Sequence, residues 1–178
     1  MSVTRSSLRG YAPWVAGLAL VIPAEGVAHA GDEEENHLDH TIIVGVGGAG
    51  ELELGDGSVH PGGNVMVEWE AIENWLELEV GASVLTADQG ATVPVDLLVK
   101  KPFRLCRWAE FMVGVGPEVV RNTGANGGTY FGGEMALDFM FWPWGRRVGL
   151  WVEPEYDLVF HERPSGGIGT TGGVLLGW

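Results

Sequence analysis

The chain is poor in cysteine, in positive charge and in long apolar runs, and each shortage removes a class of protein. One cysteine, Cys106, leaves no internal disulfide to staple the fold, so an oxidising compartment is tolerated and not exploited. Ten Lys and Arg residues stand against 24 Asp and Glu, a formal net charge of −14. Nucleic acid is held through Lys and Arg contacts to phosphate, so this balance excludes it as a partner. The apolar run WVAGLALVI, residues 14–22, falls short of the roughly 20 residues a spanning helix needs. From residue 41 onward no stretch keeps a sustained helical period, which argues against helical bundles and alternating strand–helix folds.

What is abundant is glycine, 29 residues spread without a collagen-like period or a single low-complexity block. In TIIVGVGGAG, residues 41–50, Gly45, Gly47 and Gly50 spell the G-x-G-x-x-G of a dinucleotide-binding turn. That fingerprint has meaning only where a helix opens on the glycines and its N-terminus meets a pyrophosphate. The next residues, Glu51-Leu52-Glu53-Leu54, alternate as a strand, and no βαβ crossover follows. No nucleotide is expected, and the glycines read as part of a curved strand wall.

The N-terminal region has the layout of an export signal. Arg5 and Arg9 precede the apolar run, and Ala28-His29-Ala30 forms a small-x-small cleavage site. A cleaved signal peptide at 1–30 is expected, and its loss makes the mature chain one unit more negative. Residues 31–40, GDEEENHLDH, read as a flexible acidic leader with little to bury. His37 and His40 beside Asp32, Glu33, Glu34, Glu35 and Asp39 are a weak metal motif, because a flexible segment does not pre-organise ligands.

From residue 41 onward, alternation with period two recurs and predicts eight strands: 41–54, 64–72, 75–85, 93–103, 109–121, 129–142, 147–160 and 168–178. Links after odd strands are rich in Gly, Asn, Asp or Pro (GDGSVHPGG, TADQGAT, NTGANGG, HERPSGG). Those after even strands are tighter and carry Trp or basic residues (ENW, RLCRW, PWGR). One strand face is apolar: Leu76, Leu78, Val80, Ala82 and Val84 in the third, and Met135, Leu137, Phe139 and Phe141 in the sixth. The other is acid and glycine, as with Glu77, Glu79, Gly81 and Ser83.

Alternation alone fits two barrels, a soluble lipocalin-like carrier with its apolar face inside or an outer-membrane barrel with that face outside. The aromatic residues favour the second. Trp69, Trp75, Phe103, Trp108, Phe141, Trp142, Trp144 and Trp178 fall at the tight-turn edge, as a membrane interface favours, with Tyr130, Phe131 and Phe160 as a thinner girdle opposite. The final strand, Val174, Leu176 and Trp178 alternating to the C-terminal carboxylate, resembles the C-terminal signature of bacterial outer-membrane barrels. From 41 to 178, with the export signal, the chain resembles small eight-stranded outer-membrane β-barrel proteins. FGGEMALDFMFWPW and WVEPEYDLVF are similar to segments of uncharacterised exported barrel proteins, a family without a known activity.

The resemblance implies an all-β, antiparallel, up-and-down transmembrane barrel in a Gram-negative outer membrane, with both termini in the periplasm. It also implies outer-membrane lipid and the barrel assembly machinery as partners, the latter through the C-terminal strand. The predicted lumen is acidic: Glu68, Glu70, Glu77, Glu79, Asp96, Glu110, Glu134, Asp138, Glu153, Glu155 and Asp157. So many like charges need partners, and Lys100, Arg104, Arg107 and Arg147 are the candidates. An eight-stranded barrel is just wide enough for side chains to fill, so an ion-pair plug is expected and a porin-like solute pore is not.

A cation-binding lumen is the sharper alternative, although no Asp-rich loop with ligand spacing is present. A lipid-modifying barrel would need Ser, His and an acid in register, whereas His60, His161, Ser58 and Ser165 fall in predicted loops. The expectation is a structural or interaction role in the cell envelope, with no catalytic residue, cofactor or dedicated metal site.

Overall fold

The computed structural model describes residues 42–178, apart from 88, 89, 125, 126, 146, 162 and 163. The signal at 1–30, the leader at 31–40 with its His37 and His40, and Thr41 lie outside the described residues. Eight strands follow one another: β1 (Ile42–Glu53), β2 (Val59–Ile72), β3 (Leu76–Ala87), β4 (Gly90–Cys106), β5 (Ala109–Asn122), β6 (Thr129–Phe141), β7 (Val148–Phe160) and β8 (Ser165–Gly177). Each pairs antiparallel with the next, and β8 returns to pair with β1. Closure removes the sheet edge, so every strand has a partner on both sides.

The period-two pattern sets the two faces. In β3, Glu77, Glu79, Gly81, Ser83 and Leu85 are buried, while Val80 and Val84 are exposed. In β6, Glu134, Ala136, Asp138 and Met140 are buried and Met135 and Leu137 point out. The same parity runs through β5 and β7, so the barrel carries its acids inside and its aliphatic side chains outside.

Closure also lengthens strands beyond their sequence signals. The Gly- and Pro-rich residues 59–63 read as a link, yet they extend β2, because Leu52↔Val59, Glu51↔His60 and Gly50↔Pro61 continue the ladder with β1. Likewise β4 begins at Gly90 and β8 at Ser165. At the turns, Gly57, Asn74 and Gly145 take positive φ, which glycine adopts without a Cβ clash and asparagine tolerates best among the rest.

The glycines of residues 45–50 have a structural purpose. Gly47 and Gly48 pair with Gly173 and Gly172 of β8, and Gly48 and Ala49 face Gly63 and Gly62 of β2. A Cβ on Gly47 would lie 2.0 Å from the Gly172 carbonyl oxygen, so the strands approach there only because no side chain intervenes. No helix follows; β1 runs on to Glu53.

Inside, Ile43, Met66, Met112, Met140, Trp142, Trp151 and Leu175 form one buried apolar cluster, with most members near the tight-turn ends of their strands. Trp142 therefore leaves the girdle expected from the sequence: it is 3% exposed and follows the inward parity of Asp138 and Met140. Gly149 makes room for its indole, since a Cβ there would meet Trp142 Cε3 at 2.7 Å. Trp75, Phe103, Trp108, Trp144 and Trp178 are exposed, and Trp69 and Phe141 are half-buried. At the opposite end Phe131 and Phe160 point out, whereas Tyr130 lines the interior and meets the His161 ring edge-on.

Candidate functional site

The interior charge is organised around Lys100, which is fully buried. Its register partner on β5 is Gly114, where a Cβ would lie 2.9 Å from Lys100 Cγ. Glycine at that position clears the path by which the lysine stem crosses the barrel from β4. Its ammonium has three hydrogens, and three carboxylates take them: Glu79 Oε2 at 2.7 Å, Asp138 Oδ2 at 3.0 Å, and Glu153 Oε2. Glu68 Oε2 lies 3.5 Å away, and neither Glu68 oxygen accepts a hydrogen bond. Four strands, β2, β3, β6 and β7, thus converge on one cation from β4. Thr171 of β8 donates to Glu153 Oε1 at 3.5 Å.

The arithmetic of this cluster is lopsided. One ammonium faces four carboxylates, and Glu68 and Glu79 are directly opposed across β2 and β3. Like charges so paired repel unless a cation stands between them, which is the place Lys100 takes. Glu70 and Glu77 are likewise opposed nearer the tight turns, where Glu70 Oε1 accepts the Asn74 amide.

Arg104, Arg107 and Arg147, expected as further lumen partners, are exposed. Arg107 and Arg147 stand beyond strand ends, whereas Arg104 is still in β4, opposed to Glu110 of β5 and close enough to attract its carboxylate, and donates through Nη2 to Asn74 Oδ1 at 3.1 Å. The predicted acids share the inner face but not one site. Asp96 accepts the Gly81 amide at 3.1 Å, Glu110 and Glu155 are half-buried, and Glu134 and Asp157 are buried in the half of the barrel nearer the long loops. Three further acids that line the interior, Glu51, Glu53 and Glu118, were missed. Glu118 shares the parity of Glu110, Met112 and Gly114, a signal that the intervening Pro117 obscures.

Toward the long-loop end the interior opens into a cavity of about 570 Å³ whose walls include Glu51, Glu53, His60, Glu118, Tyr130, Asp157 and His161. Below it a cavity of about 20 Å³ is bounded by Glu51, Glu79, Asp96, Glu118, Glu134, Glu153, Glu155 and Asp157. Among the described residues neither cavity has a Lys or Arg in its wall.

The serines and histidines of the rim meet in pairs. Ser58 Oγ lies 2.9 Å from His60 Nε2, and Ser165 Oγ lies 3.1 Å from His161 Nε2. His60 Nδ1 donates to the Thr86 carbonyl oxygen at 2.8 Å, so a neutral His60 can only accept through Nε2. The acid, however, sits on the serine: Asp56 Oδ1 accepts from Ser58 Oγ at 2.7 Å and from its amide at 2.8 Å. Those two hydrogen bonds, the hydroxyl first, hold the Asp56 carboxyl below its ordinary value. A catalytic triad has its acid behind the histidine; here a backbone carbonyl holds that place, and Asp56 competes with His60 Nε2 for the one hydroxyl hydrogen of Ser58.

No protein-family model and no curated protein matches the sequence. Solved structures do. Neisserial surface protein A aligns over 78% of this chain and 97% of its own, with a TM-score of 0.61 at 10% identity. The N-terminal β-barrel domain of Pseudomonas aeruginosa OprF aligns over 78% and 98%, with a TM-score of 0.53 at 10% identity. Ail, the attachment invasion locus protein of Yersinia pestis, solved with the heparin analogue sucrose octasulfate, aligns over 77% and 97%, with a TM-score of 0.55 at 12% identity. The fold is therefore that of small eight-stranded outer-membrane barrels.

Proposed function

We propose that this protein is a small integral barrel of a bacterial outer membrane, with a plugged, acid-lined lumen and a structural or interaction role in the envelope in place of catalysis. One observation carries the reading: the barrel is inverted relative to a soluble protein. Val46, Val84, Val115 and Met135 are exposed on the outside while Lys100, Glu68, Glu79 and Asp138 are buried within. Water would penalise such a surface, and hydrocarbon favours it. A soluble carrier of an apolar ligand needs an apolar cavity, whereas the larger cavity here has four carboxylates and two histidines in its wall.

The seam supports assembly through the last strand. Ile42 and Trp178 exchange backbone hydrogen bonds at 3.3 and 3.0 Å, with Val174, Leu176 and Trp178 turned outward. A polyanion such as the one bound by Ail is a poor ligand for this chain, since its open end presents Glu51, Glu53, Glu118 and Asp157. The test is fractionation of the exported protein, followed by unheated and boiled samples of each fraction on one SDS gel. Recovery in the outer membrane with a faster unheated band is expected. Recovery as soluble periplasmic protein would overturn the reading.

A further inference from the structure

We propose that Glu118, Glu134 and Asp157 form a binding site for a hard divalent cation of the Ca²⁺ class, entered from the cavity at the long-loop end. Each is buried, at 3%, 6% and 7% exposed respectively, and each offers an oxygen within 4.8 Å of those of the other two. They come from three consecutive strands, β5, β6 and β7. Glu134 and Asp157 are directly opposed, and Glu118 is opposed to Gly132, two residues from Glu134.

The cluster differs from the one around Lys100 in having no cation. Buried charges are found paired or coordinating metal, and here no Lys or Arg is present among the described residues of the walls. A second observation points the same way: Glu118 Oε2 is buried with no hydrogen-bond partner. Its carboxylate lines both the open cavity and the pocket of about 20 Å³ beneath it, which holds one water-sized particle. Gly132 helps to seat this group, because a Cβ there would lie 2.9 Å from Glu118 Oε2.

The donor set selects the ion. All three donors are carboxylate oxygens, without histidine or cysteine, which suits Ca²⁺ or Mg²⁺ over zinc or copper. Oxygens bound to one Ca²⁺ stand no more than about 4.8 Å apart, and all three pairs here meet that limit. Glu51, Glu153 and Glu155 border the same pocket and can complete the coordination directly or through water.

The experiment is calorimetric titration of CaCl₂ into the mature barrel folded in detergent, with closure verified by its heat-shifted gel mobility. One saturable site per chain is expected. Glu118→Gln and Asp157→Asn should each weaken it at least tenfold, while Glu77→Gln, at the other end of the lumen, should leave it within about twofold. Glu134→Gln reports on the same triangle if Asp157→Asn fails to close. The absence of saturable Ca²⁺ binding to the closed wild-type barrel would overturn the proposal, as would unchanged affinity in closed Glu118→Gln. Either result would leave the membrane location of the barrel standing, because fractionation reads it independently.

Discussion

At the scale of single residues, Lys100 has the largest leverage. It is the one buried Lys or Arg among the described residues, and four carboxylates from four strands depend on it. Lys100→Met keeps much of the stem's volume and removes the charge, which leaves Glu68, Glu79, Asp138 and Glu153 facing one another. Stripping one partner from a buried ion pair typically costs about 3–5 kcal/mol. We expect a loss of that order in denaturant titrations followed by the heat-shifted gel band, and partial recovery when Glu79→Gln is added. A Lys100→Met barrel as stable as wild type would mean that the carboxylates are satisfied elsewhere. The sequence showed that acids and Lys100 share a face. It could not show which acids meet, because that depends on how strands distant in order lean toward each other across a closed interior.

At the scale of elements, the inner and outer faces were legible because the period is two and each barrel strand keeps it from end to end. Legibility failed where the period meets a turn. Arg107 and Arg147 lie there, and so does Trp142, whose parity with Asp138 and Met140 outweighs its place in an aromatic cluster. Glycine was the other ambiguity, since the same residue type marks a link, a φ requirement or a close approach. The structure separates these uses along β1. A Cβ at Gly47 would collide with the Gly172 carbonyl at 2.0 Å, whereas one at Gly50 meets nothing within 4 Å. Gly47→Ala should therefore reduce the yield of closed barrel several-fold in refolding assays, and Gly50→Ala should match wild type. Equal yields for the two variants would show that the β8–β1 seam relaxes enough to admit a side chain, and the close-approach account of GVGGAG would fail.

At the scale of the whole molecule, the question is whether the interior transmits anything. Eight strands enclose a space that side chains just fill. Here the space narrows from a cavity of about 570 Å³ to one of about 20 Å³, with the Lys100 cluster and then Met112, Met140, Trp142, Trp151 and Leu175 also inside. A hydrated ion passing through would have to displace the ammonium from three hydrogen-bonded carboxylates and then cross apolar rings, where nothing replaces its water. Planar-bilayer recordings of the wild-type barrel should thus show no steady current. Removing both indoles in Trp142→Ala/Trp151→Ala takes away the larger apolar barrier, and the acid-lined remainder should favour cations over anions if it opens at all. Each truncation of a buried tryptophan costs about 3–5 kcal/mol, so only material with the heat-shifted band should be recorded. A steady current through the unaltered barrel would sink the plugged-lumen reading. A closed double variant that conducts only after Lys100→Met is added would place the barrier in the charged layer, and would make the ion-pair cluster the gate as well as the brace.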